Sequence, residues 1–117
     1  MVVEKRQSQR LLVVMPEEEP VGVQTPAKLY TAKLVNLGSG GALISILDCI
    51  WRAEIGSRCT LSLANSGHIF EVQAELLRVV GWYAAFKFVD LTAEQSSEIG
   101  AKIAHIQALT EALCPVQ

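Results

Sequence analysis

Two short stretches of this sequence carry side chains suited to holding an anion. Arg6-Gln7-Ser8-Gln9-Arg10 sets two guanidinium groups four residues apart in a polar, basic leader. A guanidinium is a planar fork that bonds phosphate oxygens, or the O6/N7 edge of guanine, two at a time. Asn36-Leu37-Gly38-Ser39-Gly40-Gly41 offers hydrogen-bonding side chains at Asn36 and Ser39. Its three glycines let the backbone reach φ > 0 and let another molecule come close to the main chain. Taken singly, the first stretch reads as a solvated tail and the second as a hairpin turn. Together, ahead of and between strand-like runs, they make a candidate binding constellation.

Other chemistry is poorly represented. His68 comes just after a turn and His105 lies on a helix, each without a sequence neighbour that would make a ligand set or a nucleophile and base, so both read as surface residues. Cys49, Cys59 and Cys114 are odd in number, widely spaced and free of a Cys-x-x-Cys unit. They read as reduced thiols of a cytoplasmic protein, with Cys59 buried in a strand. There is no phosphate-binding Gly-x-x-x-x-Gly-Lys loop, no Gly-x-Ser-x-Gly elbow and no His-Glu-x-x-His pair, so the chain is not expected to be an enzyme or to need a metal or cofactor. A net charge of -2 gives no broad attraction to DNA or RNA, so any anion site must be local. No leading apolar segment resembles a signal peptide, and no run approaches the length needed to cross a bilayer.

To act together, the two stretches need a scaffold, and the apolar pattern supplies one. Half of the 117 residues are hydrophobic (50%), enough for a single domain without staples. Leu11 to Met15 is an apolar run stopped by Pro16, and Val21 to Gln24 re-enters the sheet. Lys28 to Val35 alternates, with Tyr30, Ala32 and Leu34 on one face, and Ala42 to Leu47 reads as a central strand. Cys59 to Leu63 alternates with Thr60 and Ser62 outward, and Asn65-Ser66-Gly67 turns the chain. Phe70, Val72, Ala74 and Leu76 share the next inner face. An unbroken period would then aim Arg78 inward, so a bulge is expected at Leu76-Leu77-Arg78. Gly81 turns again, and Phe86 and Phe88 face the core. Thr92-Ala93-Glu94-Gln95 is a capping box, and Ile99, Ile103, Ile106, Leu109 and Leu113 form the stripe of a helix that ends before Pro115.

The expected organisation is a basic leader over 1–10, β-structure over 11–91 and a helix over 92–114. Consecutive hairpins and one amphipathic helix imply a small antiparallel barrel or sandwich with the helix closing one opening. A helix of about 20 residues is roughly 30 Å long, enough to overhang and support a homodimer.

This order of parts resembles the PilZ domain family. The resemblance rests on the Arg-x-x-x-Arg leader, the Asn36-to-Gly41 turn, the Phe86-Lys87-Phe88-Val89-Asp90-Leu91 strand end and the C-terminal helix, and it runs from Lys5 to Ala108. It implies a mainly β fold, a six-stranded antiparallel β-barrel with a C-terminal α-helix. It also implies binding of the bacterial second messenger cyclic di-GMP, with signalling to a protein partner as the arginine leader becomes ordered. The ligand-binding set carried over is Arg6, Arg10, Asn36, Gly38, Ser39 and Gly41. Two departures stand out. Gly38 occupies the position where the family carries serine, with Ser39 one residue late, and Ala84-Ala85 precedes Phe86 where the family often has glycine. A neutral hydrogen bond is worth roughly 0.5–1.5 kcal/mol and one to a charged group roughly 1.5–3 kcal/mol. Two retained arginines therefore outweigh one lost hydroxyl, and weakened binding is expected. The alternative is an adaptor on the same barrel that binds a protein partner and no longer binds cyclic di-GMP.

Overall fold

The computed structural model describes residues 13–14, 19–46 and 53–113. Seven strands appear: β1 (Val13–Val14), β2 (Pro20–Gln24), β3 (Leu29–Leu37), β4 (Gly41–Ser45), β5 (Arg58–Asn65), β6 (His68–Val80) and β7 (Tyr83–Phe88). They are followed by one helix, α1 (Ala93–Leu113). Every pairing is antiparallel, and β2, β3, β4, β7, β6 and β5 close into a six-stranded ring. β1 lies on the same edge of β3 as β2, pairing Val13 with Leu37 and Val14 with Asn36.

Closure comes from two long strands that change partner along their length. β3 pairs with β2 through Leu29–Lys33 and with β4 through Lys33–Leu37. β6 pairs with β5 through Glu75 and with β7 from Ala74 onward. That stagger lets the sheet curl shut. Both strands bulge near the hand-over, β3 between Leu34 and Asn36 and β6 between Leu76 and Arg78. The second bulge is the one expected from the failing period. The first also has a sequence signature, since Leu34 and Leu37 are both core residues at an odd spacing.

The core is built from the inward residues of alternating strands, including Val23, Leu37, Ile44, Leu61, Leu63, Val72 and Leu76. Asn65-Ser66-Gly67-His68 makes the β5–β6 turn, with Ser66 and Gly67 both at positive φ (51° and 82°). That is the twist a tight hairpin requires. α1 starts as its capping box demands: the Gln95 amide donates to Thr92 Oγ1 (3.0 Å), and the Thr92 amide donates to Gln95 Oε1 (2.9 Å). Gln95 Nε2 also donates to the Glu71 carbonyl (2.8 Å), tying the first turn of α1 to β6. Ile99, Ile103 and Ile106 are buried against the barrel.

One buried charge escaped the sequence reading. Lys102 is 3% exposed, and its Nζ donates to the Glu19 carboxylate (2.6 Å) and to the Ala64 carbonyl. Glu19 in turn accepts the Leu34 amide on its own carbonyl (2.8 Å), so this residue joins helix and barrel.

Several expectations need correction. Asn36 and Leu37 continue β3 and the turn proper is Gly38–Gly40, because Asn36 pairs with Leu43 and Leu37 with Ala42. None of Gly38, Gly40 and Gly41 has positive φ. Among the described side chains of the α1 stripe, Ile99, Ile103 and Ile106 are in the core while Leu109 is 40% exposed. β2 begins one residue before the expected Val21, at Pro20, the first position of a strand, where a missing amide is tolerated. Of the run Leu11 to Met15, only Val13 and Val14 fall among the described residues. Cys49, Leu113 as a core contact, and Cys114 also lie outside them.

Candidate functional site

The outer face of the barrel carries an open cleft of about 550 Å³ where β3, β4, β7 and β6 lie side by side. One cross-strand rung spans it: Asn36 on β3 pairs with Leu43, Leu43 with Ala85, and Ala85 with Arg78 on β6. Three strand spacings of roughly 4.8 Å put the ends of this rung about 14 Å apart. The half-buried Leu43 stands between them beside Asn36, and the floor is low only around it, where Ala85 and Gly41 have little or no side chain.

Both polar ends of the rung point outward because of the bulges. Without the extra residue in each strand, parity would turn Asn36 and Arg78 toward the core. Asn36 is half-buried and Arg78 exposed. Lys87, two residues along β7 from Ala85, also faces the cleft. Among the described residues no carboxylate lines it, and neither Arg78 nor Lys87 makes an ion pair. Glu75 is the cross-strand partner of Lys87 but forms no ion pair with it.

The turn at the cleft edge is held by its backbone. The Gly38 amide donates to the Gly41 carbonyl (2.9 Å), and the Phe88 amide donates to the Gly40 carbonyl (2.8 Å). Gly41 is needed here for close approach: a Cβ at this position would lie 2.2 Å from the Phe86 carbonyl oxygen. The glycine thus serves strand packing as well as the open floor.

Of the residues the sequence singled out, Asn36, Gly38 and Gly41 line the cleft together. Ser39 is exposed on the turn and does not line it. Arg6 and Arg10 lie outside the described residues. The two alanines before Phe86 differ in effect: Ala84 points into the core (2% exposed) and adds nothing to the cleft, while Ala85 forms part of its floor. Sequence reasoning missed Arg78 and Lys87 as cleft residues. The parity break at Leu76-Leu77-Arg78 does carry a signal for Arg78, because a bulge that keeps an arginine out of the core also aims it at the outer face.

A second surface adjoins the cleft. The β6–β7 turn exposes Val80, Trp82 and Tyr83, with Leu77 and Ile55 at the same end of β6. His68, by contrast, is a surface residue engaged by Glu98 of α1 (3.1 Å), and His105 is exposed. Among the described residues there is no His, Cys, Asp and Glu cluster able to hold a metal, and no helix long and apolar enough to cross a membrane.

The family model described as "PilZ domain" matches residues 4–105. The chain belongs to the PilZ domain family. Solved structures agree with this on fold. The PilZ domain of YcgR from Escherichia coli, with c-di-GMP, superposes with a TM-score of 0.73 at 15% identity, covering 92% of this chain and 98% of that one. The PilZ domain of CeSA from a cellulose-synthesizing bacterium gives 0.65 at 16% identity, covering 84% and 96%. PlzA from Borreliella burgdorferi, in complex with c-di-GMP, gives 0.58 at 11% identity, covering 86% of this chain and 43% of that one. Among curated proteins the chain has no match. The PilZ family is one of cyclic di-GMP receptors, built as binding modules on this barrel.

Proposed function

We propose that this PilZ domain is a receptor for cyclic di-GMP that passes ligand occupancy to a protein partner. One observation carries the reading: Asn36, Gly38 and Gly41 converge on a cleft that holds two cations and, among the described residues, no carboxylate. Such a cleft suits a flat, doubly anionic ligand whose guanines offer O6/N7 edges to guanidinium or amide groups.

Chain geometry supports a role for the leader. Val14 pairs with Asn36, so the chain enters the barrel beside the cleft. Arg10 precedes Val13 by three residues, which limits the separation of their Cα atoms to about 11 Å. A ligand at the Asn36 end of the rung lies within the span that this bound allows an arginine side chain at position 10. Arg6 and Arg10 closing over the ligand would order the leader, and that change is what a partner would read.

A second reading is favoured by a different observation. Gly38 removes the serine of the family turn, and the exposed apolar corner of Val80, Trp82 and Tyr83 offers an interaction surface whether or not ligand is present. On that reading the domain is an adaptor. Calorimetric titration with cyclic di-GMP, with GMP as control and an Arg6→Ala/Arg10→Ala protein alongside, separates the two. Saturable binding that the double substitution weakens supports the receptor. Absence of heat and of any thermal stabilisation in the wild-type protein rejects it in favour of the adaptor.

A further inference from the structure

We infer that the β6–β7 wall of the cleft is an anion subsite of its own, in which Arg78 on β6 and Lys87, the cross-strand partner of Gly41 on β7, hold a phosphate of the bound dinucleotide. This rests on the receptor reading above and names residues outside the turn and leader motifs.

Placement is the first support. A bulge sacrifices regular pairing, and here it brings Arg78 onto the outer face in register with Asn36 across the floor of the cleft. Bulges next to functional sites commonly re-aim a side chain in this way. Charge is the second. Arg78 pairs with Ala85, and Lys87 lies two residues further along β7 on the same face. Such diagonal neighbours sit about 7–8 Å apart at their backbones, within reach of a shared object for two long side chains. Among the described residues no carboxylate lines the cleft, and Glu75, opposite Lys87 on β6, makes no ion pair with it, so an anion between Arg78 and Lys87 would relieve the repulsion between them. Chemistry is the third. Arginine offers a planar bidentate contact to a phosphodiester and lysine adds a point charge, so together they match one phosphate better than a neutral base edge. In this protein they also offset the hydroxyl that Gly38 fails to provide.

The test is titration of fluorescently labelled cyclic di-GMP into full-length wild-type, Arg78→Ala, Lys87→Ala, the double variant and Arg78→Lys, at low and moderate salt. Arg58→Ala is the control, because Arg58 is a surface cation paired with Asp90 that does not line the cleft. Each single alanine variant is expected to weaken binding about tenfold, and the double variant about a hundredfold, as for losing charged hydrogen bonds. Arg78→Lys should recover part of the loss, and the affinity of the double variant should fall less steeply with salt. Unchanged melting temperatures of the ligand-free variants would confirm that the effect is local. If wild-type binds and both single variants bind equally well, the subsite is refuted while the receptor reading stands. An equal loss in Arg58→Ala would mean a general charge effect and would also refute it. If wild-type does not bind at all, the receptor reading fails, and the subsite with it.

Discussion

Replacing Gly41 by alanine tests whether this glycine is held by the fold. Its Cβ would fall 2.2 Å from the Phe86 carbonyl oxygen and 3.4 Å from the Lys87 Cα. Carbon and carbonyl oxygen approach to about 3.3 Å at closest, so β4 and β7 would have to part locally by about 1 Å. No rotamer relieves the contact, because the obstacle is backbone. Overpacking of this kind costs about 1–3 kcal/mol, and the rigid partner points to the upper end. Against this stands a gain of about 0.4–1 kcal/mol from the less flexible unfolded chain. The net expectation is a loss of about 2 kcal/mol, or roughly 8 °C in melting temperature for a domain of this size. Gly40→Ala is the matched control. Nothing lies within 4 Å of its Cβ and its φ is not positive, so only the unfolded-state term applies and the melting temperature should rise slightly. Urea and thermal unfolding of the ligand-free proteins read both effects without involving the site. A Gly41→Ala protein that melts with the wild type, or a Gly40→Ala protein that loses as much, would refute the reasoning.

Buried groups give two further expected outcomes. Lys102→Met keeps the stem of the side chain but strips both the Glu19 carboxylate and the Ala64 carbonyl of their donor, at a cost of about 1.5–3 kcal/mol. Lys102→Ala loses the same bonds and also empties the buried space that the stem fills, and should cost about 3–5 kcal/mol. Urea midpoints that rank the two the other way would show that the stem contributes little. Burial pushes the Cys59 thiol above its ordinary pKa. The unfolded chain therefore ionises first, so this contribution to stability is complete below the unfolded thiol pKa and is lost as pH rises through the folded one. In a Cys49→Ser/Cys114→Ser background, changing Cys59 to Ala should flatten the fall of the urea midpoint above about pH 8.5. Native Cys59 should also resist thiol reagents, and rapid labelling without unfolding would contradict its buried placement.

Much of this architecture was legible because it depends on local regularities. Alternation marked the inner faces of β3, β5, β6 and β7, the Thr92-to-Gln95 pattern marked the start of α1, and the parity break at Leu76 marked a bulge. These features arise from periods of two and 3.6 residues and from caps a few residues long, which a linear reading can count. The turn motif was placed less well. Asn36 and Leu37 read as turn residues because glycine dominates the stretch from Gly38 to Gly41, yet pairing with β4 and β1 holds both in β3. The Leu34-to-Leu37 step contained the needed clue, but recognising it required knowing that both side chains reach the same core.

The amino-acid sequence by itself determined the strand-rich barrel, the capped helix and the residues of the family motif, since each rests on residue types at short, countable spacings. Only the tertiary structure decided which side chains share the cleft, why Gly41 cannot carry a Cβ, and how Lys102 finds Glu19 from the other end of the chain. Those facts depend on register between strands distant in sequence. Closing the barrel fixes that register, because a six-stranded ring must satisfy all of its pairings at once.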